Sequence, residues 1–429
     1  MGGNRRSTQR RQQIAGVFKD ALRTTGVSLV VLCLIELSLH LCGARFESSL
    51  FQMDPIRNFS FRPGASGWRT EENDVFVHIN RFGNRDRERS VVAEPGTLRI
   101  AVLGSSYTAA LEVEQQETYT AMLERDLSRP GAPVEVLNFG VAGYGPAQVF
   151  YTLHDQVWSF HPQIVMDEVS LKQSLITSVR KLHPSAMPYP YFRLSGDSVI
   201  PDEASQRVRR PTNKQISTDN QIRTMVNAID LILLATSAKT ELGPKLKSLA
   251  RPRTREETVL ADARMDPWNW ALIPPSSPEI EQGWEILYGL IRMMRDESAA
   301  HGSEFWVIAS DDPFQVNPDP AVGGTMKRAM GAQDLTYGDD RLDHFLSSEH
   351  IEHIHLEPAL LAYVQRTGSY LHGGPKMLPG EGHWNPLGHR VVAQIMEEDL
   401  LRHSHVLQNW ERTVSSQASK SEQATDERP

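Results

Sequence analysis

Only two cysteines occur in the 429 residues, Cys33 and Cys42, and both fall in one apolar segment near the N-terminus. No disulfide framework can therefore hold the remainder together, so its stability must come from an ordinary packed core. Basic excess is also missing: the net charge is -8, without the footprint that marks nucleic-acid binders. No internal repeat is present, and long hydrophobic runs are confined to a single place. From Val27 to Cys42 the chain reads VSLVVLCLIELSLHLC, which with its flanks reaches about 20 residues, the length of a membrane-spanning helix.

The flanks of that run give it a direction. Arg5, Arg6, Arg10, Arg11, Lys19 and Arg23 precede it, against the single acid Asp20. By the positive-inside rule, residues 1–23 stay in the cytoplasm, residues 24–43 span the membrane, and everything from residue 44 is exported. Glu36 and His40 interrupt the run four residues apart, on one helix face near its outer end. A cleaved signal peptide is the rival reading, but no small-x-small cleavage site follows. Bulky Leu41 argues against lipidation of Cys42. The expectation is an uncleaved single-pass anchor in the inner membrane, with the rest of the chain periplasmic.

Beyond the anchor, residues 44–95 are polar and turn-rich and read as a stalk and lead-in. Strand and helix signals then alternate, which predicts a parallel sheet with helices on both faces. Strands are expected at 98–103, Val134–Asn138, Ile164–Val169, Phe305–Ser310 and His353–Leu356. Helices are expected from near Thr118, after Pro146, around Trp284, Leu287, Ile291 and Met294, and from Asn385 as cap with Pro386 in its first turn, running to about His403. These fall in two blocks, 96–173 and 284–403. The stretch between them, 174–283, is too long for a crossover and reads as an inserted cap, with basic clusters at Arg207, Arg209, Arg210 and at Arg251, Arg253, Arg255, and an apolar run from Ile229 to Ala235. Residues 404–429, rich in Ser, Gln and Glu, read as a disordered tail.

Two short motifs carry chemistry. Leu103-Gly104-Ser105-Ser106 follows the first predicted strand, where open α/β sheets hold their ligands. Glu381-Gly382-His383-Trp384-Asn385 precedes the last helix. A serine, a histidine and an acid so placed are the parts of a nucleophilic acyl-transfer site. Gly-Ser-Ser alone is a common turn, and a lone His before a helix is usually a surface residue; joint placement is what raises both.

The order of motifs resembles the SGNH/GDSL hydrolase family over roughly residues 75–173 and 284–402, including a lead-in of the type Asn80-Arg81-Phe82-Gly83-Asn84-Arg85. The resemblance implies a three-layer αβα, flavodoxin-like fold with about five parallel strands. It also implies a serine ester hydrolase that needs no cofactor or metal. Gly104-Ser105-Ser106 stands at the family's Gly-Asp-Ser and implies Ser106 as nucleophile, with Ser105 in place of the aspartate. Asn138-Phe139-Gly140-Val141-Ala142-Gly143-Tyr144-Gly145 stands at the second block, implying that the N–H groups of Gly143 and Ser106 hold the oxyanion. The third block lacks the family's asparagine; Gln173 or Lys172 falls at its place, and Gln173 keeps a carboxamide. The last block, Asp-x-x-His in most members and Asp-x-His-Trp in alginate-type O-acetyltransferases, implies His383 as general base and Glu381, or a backbone carbonyl, as the group that orients its ring.

Exported placement and family habit imply short acyl esters, O-acetyl groups above all, on extracytoplasmic glycans. O-acetyl transfer onto such a glycan, and an inactive domain that binds glycan or protein, are the alternatives. His350, His353 and His355 invite a metal reading, but the segment reads better as the fifth strand. Trp268 and Trp270 read as packing under the cap rather than as sugar platforms.

Overall fold

The computed structural model describes residues 48–183, 189–203 except 197, 259–260 and 269–414, with scattered positions between 19 and 34. The chain divides into two compact units, Ser48–Ser217 with Arg251–Pro429, and Met1–Glu47 with Thr218–Ala250. In the second, residues 23–28 are helical. Most of the expected span, 24–43, lies outside the described residues, as do both cysteines, the basic clusters of the expected cap, its apolar run and Trp268. Among the described residues no helix is long and apolar enough to cross a membrane.

The larger unit opens with two antiparallel hairpins. Strand β1 (Phe51–Asp54) pairs with β2 (Asn58–Phe61), and β3 (Ser66–Arg69) with β4 (Val75–His78). Leu50, Phe61, Val75, Val77 and Ile79 bury their side chains in the main core. The segment read as stalk and lead-in is thus part of the packed body.

Then follow β5 (Leu98–Leu103), a one-turn helix α1 (Ser106–Ala109), α2 (Tyr119–Leu127), β6 (Val134–Asn138), α3 (Pro146–Asp155), β7 (Ile164–Ser170) and α4 (Leu171–Ser178). A short hairpin of β8 (Phe192–Ser195) and β9 (Ser198–Pro201) comes next. The chain continues with α5 (Pro278–Ala300), β10 (Glu304–Ser310), α6 (Pro320–Met330), α7 (Tyr337–Ser348), β11 (Glu352–His355), α8 (Leu356–Thr367) and α9 (Pro386–His403). All five expected strands are present, as are the expected helix starts at Thr118, Pro146 and Asn385. The caps explain the starts: Thr118 Oγ1 accepts from Ala121 N–H at 3.2 Å, and Asn385 Oδ1 accepts from Leu387 and Gly388 N–H, both at 3.0 Å.

The central sheet is wholly parallel, in the order β11-β10-β7-β5-β6. Counting only its members along the chain, this is 2-1-3-4-5, the flavodoxin-like order, whose switch point lies beside β5. Successive residues of β5 face opposite ways: Ala101 and Leu103 join a core with α3, α4, α5 and α7, while Leu98, Ile100 and Val102 join one with α2, α8 and α9. Strand β5, buried on both faces, reads as a near-continuous apolar run.

Two boundaries differ from expectation. The helix around Trp284 begins earlier, at Pro278, where Ser277 caps it. The tail does not begin at 404: residues 405–414 are helical, Leu407 is buried against α9, and Trp410 Nε1 donates to Gly96 O at 3.1 Å. A few apolar residues spaced for one helix face outweighed the polar average of that stretch. Residues 415–429 lie outside the described residues.

Candidate active site

Ser106, the expected nucleophile, sits where β5 ends. Gly104 has φ +154, and a Cβ on it would come within 2.6 Å of the Glu168 carboxylate, so only glycine lets the chain turn there. That carboxylate lies on β7, the neighbouring strand, and is buried beneath the turn. It accepts from Ser105 N–H at 3.0 Å, from Thr108 Oγ1 at 3.2 Å and from Ser310 Oγ at 2.7 Å. Burial pushes Glu168 up, and these donors oppose the push. Three elements are thereby tied to the backbone just before Ser106. Ser105, at the place of the family's aspartate, buries a hydroxyl that has no hydrogen-bond partner among the described residues.

Ser106 Oγ lies 2.8 Å from His383 Nε2 across 277 positions of sequence. On the other side of the ring, His383 Nδ1 lies 2.7 Å from Glu72 Oε1. Glu72 Oε2 also accepts from the His383 backbone N–H at 3.0 Å, so one carboxylate fixes both ring and main chain. With a base on the hydroxyl and a carboxylate on the base, the three form a serine–histidine–glutamate triad, recognised by geometry rather than by chain order.

The acid is not Glu381. Glu381 lines the pocket beside the site, while the place at Nδ1 is taken by Glu72 from the turn between β3 and β4. The reason is directional: positive φ at Gly380 and Gly382 turns the chain sharply on both sides of Glu381. The β3–β4 turn is tied down in return, since Lys376 N–H donates to Glu72 O at 3.1 Å and Lys376 Nζ to Thr70 O at 2.8 Å. The only sequence signal was a pair of acids, Glu71-Glu72, in the lead-in of a chain with a serine and a histidine to serve.

Burial opposes charge on the His383 ring, yet the carboxylates of Glu112 and Glu72 outweigh it and hold the imidazole up at about 9. Glu112 Oε1 stands 3.9 Å from Nδ1. Burial raises its carboxyl, and the charge on Glu72 adds to that. Glu72 is lowered: burial alone would raise it, but the hydrogen bond and charge of His383 prevail.

Of the expected oxyanion donors, Gly143 occupies a tight turn. Tyr144 N–H donates to Val141 O at 3.1 Å, with Gly143 at φ +88 in the position where a type II turn requires glycine. That bond uses Tyr144's N–H and leaves Gly143's own N–H out of the turn. Gln173, in the first turn of α4, donates from Nε2 to Gly143 O at 3.0 Å, and Tyr189 Oη donates to the same carbonyl at 3.0 Å. A carboxamide NH₂ has two hydrogens, so one bond to Gly143 does not exhaust it. Lys172 is ion-paired with Asp312 instead.

A pocket of about 480 Å³ opens over the triad. Ser106, Gln173, Asp312, Phe314, Gln315 and Asp339 are among its lining residues, most of them just past the C-terminal ends of β5, β7 and β10. His353 and His355 do not join it. His353 Nε2 meets Asp343 at 2.9 Å, and His355 Nε2 stands 3.6 Å from Asp339. Among the described residues no cluster of potential metal ligands occurs. Trp270 packs against the core.

No known family model matches this chain, and no curated protein matches it. Solved structures resemble it distantly. A variant of the acetylxylan esterase Axe2 from Geobacillus stearothermophilus is 10% identical, covering 72% of this chain and 96% of its own, at a TM-score of 0.34. LAE5, an alpha/beta hydrolase enzyme from the metagenome of Lake Arreo, is 13% identical over 72% of this chain and 96% of its own, at 0.33. TesA is 12% identical over 71% and 98%, at 0.32. Likenesses this remote carry no conclusion on chemistry, which rests on the geometry of the site.

Proposed function

We propose that this chain is a serine ester hydrolase acting on short acyl esters, O-acetyl groups on extracytoplasmic glycans foremost. The observation that carries the reaction is the continuous line Ser106 Oγ, His383, Glu72, with contacts of 2.8 and 2.7 Å. Ser106 attacks the ester carbonyl as its proton passes to His383 Nε2. Glu72 stabilises the imidazolium that forms and keeps its Nδ1 proton pointed away from the serine. The backbone N–H groups of Ser106 and Gly143, with the carboxamide of Gln173, meet the charge on the tetrahedral intermediate. His383 returns the proton to the leaving alcohol; water, activated by the same nitrogen, then releases the acyl group and restores the serine.

The glycan part of the reading rests on the pocket. Its volume is far larger than an acetyl group needs, and the carboxylates of Asp312 and Asp339 in its wall suit the hydroxyls of a sugar-bearing alcohol. The exported, anchored placement follows from the basic N-terminus and the apolar run after it. In the test, the full-length chain is treated with a fluorophosphonate probe and assayed on an aryl acetate and an acetylated oligosaccharide. Labelling that disappears in Ser106→Ala, together with acetate release, is expected. A wild-type chain that is neither labelled nor active on any short acyl ester refutes the reading in favour of a binding domain. Acetyl groups recovered on an added sugar rather than as acetate make it a transferase.

A further inference from the structure

A second histidine–carboxylate pair lies behind the first and takes no part in the steps above. His372 and Asp311 are buried, their side chains 1% and 0% exposed. Asp311 immediately follows β10, and His372 belongs to the segment that leads into α9. His372 Nε2 lies 2.8 Å from Asp311 Oδ2, and His372 Nδ1 lies 3.0 Å from Gly382 O. The other carboxylate oxygen, Asp311 Oδ1, accepts from Trp384 Nε1 at 2.9 Å.

Gly382 and Trp384 are the residues on either side of His383. The pair therefore holds the general base from both flanks, by the carbonyl before it and the indole after it. Main-chain bonds close the same frame: Gly373 N–H donates to His383 O and Asn385 N–H to Leu371 O, each at 2.9 Å. Tyr107, next to the nucleophile, packs its ring against His372, His383 and Trp384, with centroids 6.0, 5.3 and 4.3 Å away.

The contacts also fix the protons. A carbonyl oxygen can only accept, so Nδ1 of His372 carries hydrogen. The pair is buried behind the reacting groups, where each polar atom needs the partner it has.

We infer that His372 and Asp311 are positioning residues for the reaction, a hydrogen-bonded clamp that sets the place and direction of His383 without touching substrate. This rests on the reading of His383 as general base. A displacement of about 1 Å at a reacting group costs on the order of 10² in rate. In the full-length chain, His372→Ala should therefore lower kcat on an aryl acetate about 10²-fold while KM stays within about threefold. His372→Asn places a carboxamide N–H where Nδ1–H stood and should recover about tenfold over alanine. A folded His372→Ala within threefold of wild type in kcat, or an asparagine variant no better than alanine, overturns the clamp.

A readout on the unaltered chain guards against variants that fail to fold. With ¹⁵N-labelled histidine, Nδ1 of His372 should carry hydrogen, and a ring protonated on Nε2 alone overturns the proposal. Absence of any esterase activity or probe labelling in the wild type sinks the hydrolase reading instead, and the ring-nitrogen spectrum still decides the state of the pair.

Discussion

Replacing Glu72 by glutamine changes one oxygen for an NH₂ at the centre of the argument. The carboxylate makes two contacts with one residue, 2.7 Å to His383 Nδ1 and 3.0 Å to its backbone N–H. A carboxamide can present its oxygen to only one of them and stabilises no imidazolium. Loss of the carboxylate in such a triad lowers kcat by about 10⁴, so Glu72→Gln should fall by roughly 10³–10⁴. The pH profile makes the argument sharper. A general base works only when unprotonated, and burial offset by Glu112 and Glu72 places the His383 ring at about 9. Wild-type kcat/KM should thus climb with pH to a plateau above about 9, with roughly one molecule in a hundred in the active form at neutral pH. Removing Glu72 takes away both its hydrogen bond and its charge, so the limb should move down by a unit or more, toward the ordinary imidazole range. The loss measured at neutral pH should then be about tenfold smaller than the loss on the alkaline plateau. Stopped-flow or steady-state hydrolysis of an aryl acetate across this range, beside Glu381→Gln, decides it. A Glu72→Gln enzyme that keeps a tenth of wild-type kcat, an unshifted limb, or a Glu381→Gln enzyme equally damaged would refute the triad as drawn.

Three other outcomes are expected. Ser105→Ala removes a buried hydroxyl that has no partner among the described residues, so kcat should stay within about threefold and the melting temperature should not fall; a crippled variant would mean that the hydroxyl acts in the reaction. Gln173→Ala removes the bond to Gly143 O and a carboxamide at the site; kcat should drop about tenfold or more with little change in KM, whereas Lys172→Ala, freeing Asp312 in the pocket wall, should act mainly on KM. His389 is buried, its Nδ1 accepts from Tyr119 N–H at 3.3 Å, and burial drives its ring down to about 3. The unfolded chain takes up that proton near the ordinary imidazole value and the folded chain does not, so stability should be lost as pH falls below about 6.5, by up to about 1.4 kcal/mol per unit. Urea titrations of His389→Phe should show a shallower acid slope, and an unchanged slope would contradict the assignment.

What the sequence by itself determined was whatever depends on neighbours in the chain. The runs at 98–103 and 164–166 are apolar because both faces of their strands are covered, and the caps Thr118 and Asn385 act within their own first turns. Strand, glycine turn and serine are contiguous, so Ser106 was legible, and so was His383 beside the cap of α9. Gly143 was legible as the glycine of a turn, and its φ of +88 is one that glycine adopts readily. Glu381 stood closer in sequence to the histidine, but closeness along a chain says nothing about which way a carboxylate points. The contacts of His383 with Ser106 and Glu72 span 277 and 311 positions. Only packing of the β3–β4 hairpin against the loop at 370–383 brought that acid to the ring. The contacts of Asp311 and of the Glu168 side chain beneath Ser106 are of the same kind, buried polar groups whose partners come from other strands and loops. Local backbone preference writes itself into adjacent residues, whereas the choice among the 53 acids of the chain is made by tertiary distance and direction, which no short window of sequence contains.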